Sequence, residues 1–386
     1  MAQHDMNIAN GTGAAVRADL NNALSAIATN NSRASAPSTN FASQFFANTS
    51  TSIMQLRNTA NNAHINLFTL AGGPAFAANG TINGVNVGKG ANSVANNTAF
   101  GINALDDSVS GDNNVAIGAA TLSACTSGAT NTAVGSQAMT LVTTAGGNTA
   151  VGFGALDKLT TANHNCALGA NALTECQTGT QNIAIGVSSL ALNTNDNNVA
   201  VGHTALSNNT SGNGNIGIGT GALNVNSTGI SNVAVGTNAL RDNTTASNST
   251  AVGTGALLLN TTGTQNCAFG VQALDANTTG AFNNAFGVNV LGSNTTGSGN
   301  TAMGEAAMIS STTADNCVAY GRQALGQNIS GNSNSALGFN ALNANTTGIQ
   351  NTALGTVALD ANTTGSNHVA VGYLALSANT TAQSNT

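Results

Sequence analysis

The chain has 386 residues, 5% of them charged and 41% apolar, with a net charge of -6, 46 Gly, 2 Pro and no Trp. Typical soluble domains carry about 25% charged residues, so solubility here falls to Asn, Thr, Ser and the backbone. No basic stripe is present to follow a phosphate backbone, which argues against nucleic acid as a partner, and no apolar run is long enough to insert in a membrane as a helix.

In chain order, the start "MAQHDMNIANGTGAAVRADLNN" lacks the basic and then apolar pattern of a secretory signal, so the chain is expected to be made and kept in a cytoplasm until assembly. Asn10-Gly11 reads as a turn. Val16, Leu20, Leu24 and Ile27 then fall on one face of an amphipathic helix. Residues 41–47, 52–57 and 63–69 read as short strands joined by polar turns, so residues 1–75 form a small α+β module. Residues 76–93 are a Gly/Asn-rich transition.

From residue 94 to 386 one phrase recurs 17 times, anchored on a Gly that runs from Gly101 to Gly372. Fifteen of the 16 intervals are 17 residues, and one, Gly186 to Gly202, is 16. Helical repeats are longer than this, whereas one coil of a β-solenoid fits. Counting from the Gly as position 0, Asn stands at -4 in 14 copies, Ala at -2 in 16, a large apolar residue at -1 in all, and Leu or Met at +4 in all. The alternation before the Gly predicts a strand, the Gly a tight turn, and Ala-Leu a short second strand. Asn-Thr-Thr-Gly closes the coil. Stacking places Leu over Leu and Asn over Asn, the latter as a hydrogen-bonded ladder. The expected core is Leu plus the large residue before the Gly, with the Ala columns left to pack against other chains. The fold class expected is mainly β, a parallel β-solenoid of 17-residue coils behind a small N-terminal α+β attachment module. Seventeen coils at ~4.8 Å make a rod roughly 80 Å long.

The phrases "NNVAIGAATL", "QNIAIGVSSL" and "SNVAVGTNAL" resemble the head repeat of YadA-like trimeric adhesins, a left-handed parallel β-roll. That resemblance implies a homotrimer. The signal peptide, coiled-coil stalk and barrel anchor of such adhesins have no counterpart in the sequence. Residues 1–75 resemble instead the N-terminal region of tail-fibre and related virion proteins of tailed bacteriophages. The likeness runs through Gly13-Ala14-Ala15-Val16-Arg17-Ala18-Asp19-Leu20-Asn21, Phe45-Phe46 and Leu56-Arg57-Asn58-Thr59-Ala60-Asn61-Asn62-Ala63. It departs at Phe45, Phe46 and His64, where that family usually has Trp. Together the resemblances imply a structural fibre of a phage virion, a tail or neck appendage for host attachment. Residues 1–75 would dock to other virion proteins. The far end would meet a host glycan or protein, directly or through a separate capping or receptor-binding protein.

Adhesin or extracellular filament, and fibre-linked polysaccharide depolymerase, are the competing readings. The second needs paired carboxylates, yet Asp157, Asp275 and Asp360, which share position +5, lie on distant coils. No catalytic, cofactor-binding or metal-ligating residue is assigned, and no enzyme activity is expected. His4, His64, His164, His203 and His368 are scattered, with His164 and His368 read as lying at coil edges. The five Cys fall into repeat columns (Cys166 with Cys267, Cys125 with Cys176) rather than C-x-x-C pairs, and read as small apolar residues.

Overall fold

A 17-residue coil must reverse direction several times within one period, so the side of each strand that faces inward decides what the core is made of. The computed structural model describes residues 32–33, 45–50, 53–57, 64–69, 80–82, 85–107 and 109–386. These divide into two compact units, 1–83 and 84–386.

In the first unit, β1 (Ser32–Arg33), β2 (Phe45–Asn48), β3 (Ile53–Arg57) and β4 (His64–Thr69) form one sheet in that order, and β5 (Gly80–Ile82) follows. The β1–β2 pair is parallel, while β2–β3 and β3–β4 are antiparallel, with a register shift at Met54/Gln55. The three strands expected over 41–47, 52–57 and 63–69 are thus present with slightly shifted bounds. The helix expected from Val16 to Ile27 lies outside the described residues.

The second unit is a parallel β-solenoid. Its sheet opens with β6 (Val85–Gly88), which pairs antiparallel with β7 (Thr98–Gly101). From β7 to β23 (Val369–Val371), 17 strands pair in order, each parallel to the next and in register, as in Val233↔Thr250, Ala234↔Ala251 and Val235↔Val252. Across the short coil the register is kept (Ile183↔Val199) because the missing residue is the one at +9. Thr194 still donates to Thr210 at +8, and Asn195 already takes the +10 place against Gly179.

The coil from Asn232 to Asn248 shows the inside plainly. Asn232, Ala234, Ala239, Leu240, Asn243 and Ala246 are buried, whereas Val233 and Val235 are only partly covered. This corrects one expectation: Leu fills the interior, as in Leu240, Leu257 and Leu274, but the large residue before the Gly faces outward. The cause is width. A narrow coil already holding a Leu and two Asn has room beneath its strand for a methyl group, so Ala takes the inner face and the bulky partner of the alternation is turned out. The Ala columns, expected to meet other chains, are therefore the core of this one.

A second correction concerns the Ala-Leu segment, which is not a strand. Asn238 (φ 56°) and Leu240 (φ 50°) are left-handed, and the pattern recurs at the Leu of coil after coil. A strand must send neighbours to opposite faces, yet Ala239 and Leu240 are both buried. Alternating left-handed residues are what let two consecutive side chains point inward. The hydrogen bonds still run from coil to coil here, as in Leu240 N–H to Ala256 O at 2.9 Å and Asp242 N–H to Leu258 O at 3.1 Å. The Gly at position 0 is required on two counts. Gly236 has φ 135°, and a Cβ on it would lie 2.6 Å from the carbonyl oxygen of Gly253 in the next coil.

Two buried Asn ladders run along the stack. At -4, Asn215 Oδ1 accepts the backbone N–H of Asn232 at 3.0 Å and its amide at 3.2 Å. Asn232 Nδ2 also donates to Ala246 O at 2.8 Å, tying the strand to the closing turn of its own coil. At +7, Asn226, Asn243 and Asn260 each donate to the Oδ1 of the Asn one coil before, at 2.7, 2.7 and 3.0 Å. The first ladder meets the sequence expectation. The second, from Asn193 onward, hides in the Asn of Asn-Thr-Thr-Gly, which sequence alone assigns to the turn.

Candidate functional surface

Chemistry-bearing side chains are dispersed by the repeat, since each coil contributes one residue per column. Among the described residues no group of three or more His, Cys, Asp or Glu is placed to hold a metal ion. His164 and His203 are exposed. His368 is not at an edge as expected: it is fully buried in the -4 column, in place of an Asn. Its backbone N–H donates to Asn351 Oδ1 at 3.0 Å and its Nδ1 accepts the N–H of Asn385 at 3.1 Å, so the ring continues the ladder. His4 lies outside the described residues, and of His64 only its place in β4 is described.

The cysteines behave as the column reading requires. Cys125 and Cys176 sit in the +7 slot and Cys317 in the -4 slot, all buried and none in a disulfide. Burial pushes the thiols of Cys176 and Cys317 up to about 11, which suppresses the thiolate. Cys166 and Cys267 stand half-exposed at -3, their thiols also raised by burial. Asp275 has its carboxyl raised, chiefly by burial.

What remains is a surface rather than a pocket. The outward side of β7–β23 carries two columns, -3 and -1. The -1 column is apolar at every level, from Phe100 (53% exposed) through Ile117, Val151, Ile185, Phe269 and Leu337 to Val371 (65%). Neither column holds a charged residue among the described strands. The ion pairs Lys158–Glu175 (2.8 Å), Arg241–Asp242 (2.7 Å) and Arg322–Glu305 (3.2 Å) all stand outside them.

Two outward columns on a strand three residues wide make a strip about 10 Å across, and 17 levels at ~4.8 Å make it roughly 80 Å long. The resulting ~800 Å² matches one partner's share of a standard interface. Within it the -1 column is apolar throughout, whereas Thr, Ser or Asn fills eight of the 17 positions at -3. The strip's ionisable side chains are Cys166 and Cys267 at -3 and Tyr320 at -1, each on a separate coil. Comparison of the chain with protein-family models, with curated proteins and with solved structures gives no match.

Proposed function

We propose that this chain is the subunit of a structural fibre of a phage virion, a tail or neck appendage serving host-surface attachment, built as a homotrimer. The observation that carries the reading is the outward strip, whose -1 column is apolar at every level along a rod of in-register coils. A strip ~80 Å long with an unbroken apolar -1 column fits another rod of the same repeat far better than a globular protein, whose flat apolar patches are shorter. A second and third copy of this chain supply that match. The count of three, and the virion as setting, rest on the likeness of the coils to adhesin heads and of residues 1–75 to phage fibre proteins.

On this reading residues 1–75 dock to other virion proteins and the solenoid projects. Mass measurement in dilute buffer tests the assembly: a trimer is expected, and a stable folded monomer rejects it. Protein analysis of purified particles tests the setting. The full chain should co-purify with virions and a chain lacking residues 1–75 should not; equal incorporation of both contradicts the docking role.

A further inference from the structure

A uniform ladder has a weakness as an interface. Parallel copies that meet through identical levels can slide by one coil, ~4.8 Å, and recover nearly every contact. In the middle of the rod nothing opposes this. Ile183 and Ile185, Val199 and Val201, Ile216 and Ile218, and Val233 and Val235 fill both outward columns with similar β-branched residues over four successive coils. The strip changes further along. Four successive strands carry Phe269, Phe286, Met303 and Tyr320 at -1, between Val252 on one side and Leu337 on the other. Their -3 neighbours are smaller or polar: Cys267, Asn284, Thr301 and Val318. The Phe269 and Phe286 rings stack at 5.2 Å and 5°, so these two of the four side chains hold each other in one arrangement.

We propose that Phe269, Phe286, Met303 and Tyr320 form an axial register key, recognising the same four residues of further copies of this chain at the same level. The inference rests on the association of copies through the strip. In register, four bulky levels meet four bulky levels. A slip by one coil sets Phe269 against the smaller Val252 at one edge of the block and Tyr320 against Leu337 at the other, and the mismatch grows with each further coil. A single polar residue fixes the register of a coiled coil by the same logic, through the penalty it places on the alternatives.

The test uses the full chain with Cys166→Val and Cys267→Val, a spin label on Thr245→Cys, and pulsed EPR distances between copies. The unsubstituted block should give one intermolecular distance. Replacing all four key residues by Val should leave the copies associated but spread the distances over whole-coil steps of ~4.8 Å. A chain with Val252→Phe and Tyr320→Val moves the block by one coil. Co-expressed with the unshifted chain, it should sit one coil out of level, with a correspondingly longer distance. A single unchanged distance in the four-Val chain, or a shifted chain that stays level, overturns the key while leaving the association intact. If the four-Val chain no longer associates, the shifted chain alone decides. No intermolecular distance in any chain overturns the association and the key together.

Discussion

The +7 slot divides the solenoid into a shorter and a longer stretch that solve one problem differently. In the second to fifth coils it holds Cys125, Val142, Leu159 and Cys176, all buried and apolar. From Asn193 on it holds Asn in all but one coil, the exception being Ser311, and is wired from coil to coil. The change falls in the 16-residue coil, where Asn193 Nδ2 donates to Asn195 O across the shortened turn at 2.7 Å and Asn198 donates back to Asn193 Oδ1 at 3.2 Å. Either filling is stable because both obey one rule: the slot must be apolar throughout a run or hydrogen-bonded throughout it. Cost should concentrate where a run is broken.

The largest effect should ignore the division. Leu156→Asp in the shorter stretch and Leu257→Asp in the longer one each place an unpaired carboxylate in the same buried column. Each should cost more than about 4 kcal/mol. Denaturant unfolding should show both variants comparably damaged, and a large difference between them would mean that the Leu column is not uniform.

Breaking a run comes next. Asn260→Leu removes the donor to Asn243 Oδ1 (3.0 Å) and the acceptor of Asn277 Nδ2 (2.8 Å), for an expected loss of about 2–4 kcal/mol. The reverse change, Val142→Asn, buries an amide among apolar neighbours and should cost about 1–3 kcal/mol. Urea titration of the pair checks the rule, which fails if either change is neutral.

Mending a run should stabilise. At Ser311 the ladder is interrupted, and both Ser311 Oγ and Asn294 Oδ1 are buried without a partner. Ser311→Asn restores a donor to Asn294 and an acceptor for Asn328, a gain of about 1–2 kcal/mol that a thermal melt would show as a higher Tm.

The effect confined to alkaline conditions is a pH dependence. The thiols of Cys176 and Cys317 move from an ordinary 9.0 to about 11 through burial. An acid whose folded pKa is raised contributes stability in full below the unfolded value and loses it as pH climbs through the folded one. Stability should therefore decline between pH 9 and about 11, and Cys176→Val should shallow that decline. An unchanged slope would mean that the thiol is not desolvated as its burial implies.

Much of this architecture was legible in the sequence because stacking repeats each constraint once per coil. Period, strand position, the Gly, the inner Leu and the -4 Asn ladder all follow from columns. Which face of the strand lies inside did not, because alternation marks two faces without naming either. Hydrophobicity favoured Val235 over Ala234, and coil width decided the reverse. Nor was the +7 ladder visible, since its Asn sits in a phrase that turn chemistry explains equally well. His368 misled for a related reason: a His in an Asn column looks like a tolerated edge substitution, yet it makes the ladder's own bond. The outward strip was seen as a column and misassigned to the core, so the surface on which assembly is now proposed was in view from the start under the wrong role.

The direction of the coil-to-coil hydrogen bonds has a mechanical consequence. They run along the rod, so a pull on its ends loads them in tension, one coil at a time, rather than in shear across many at once. A single chain should yield by peeling. Each detached coil gives up ~4.8 Å of rod and releases on the order of 58 Å of extended backbone, 17 residues at about 3.4 Å each. Such a rod behaves as a stiff spacer under sideways load and as an extensible tether under axial load.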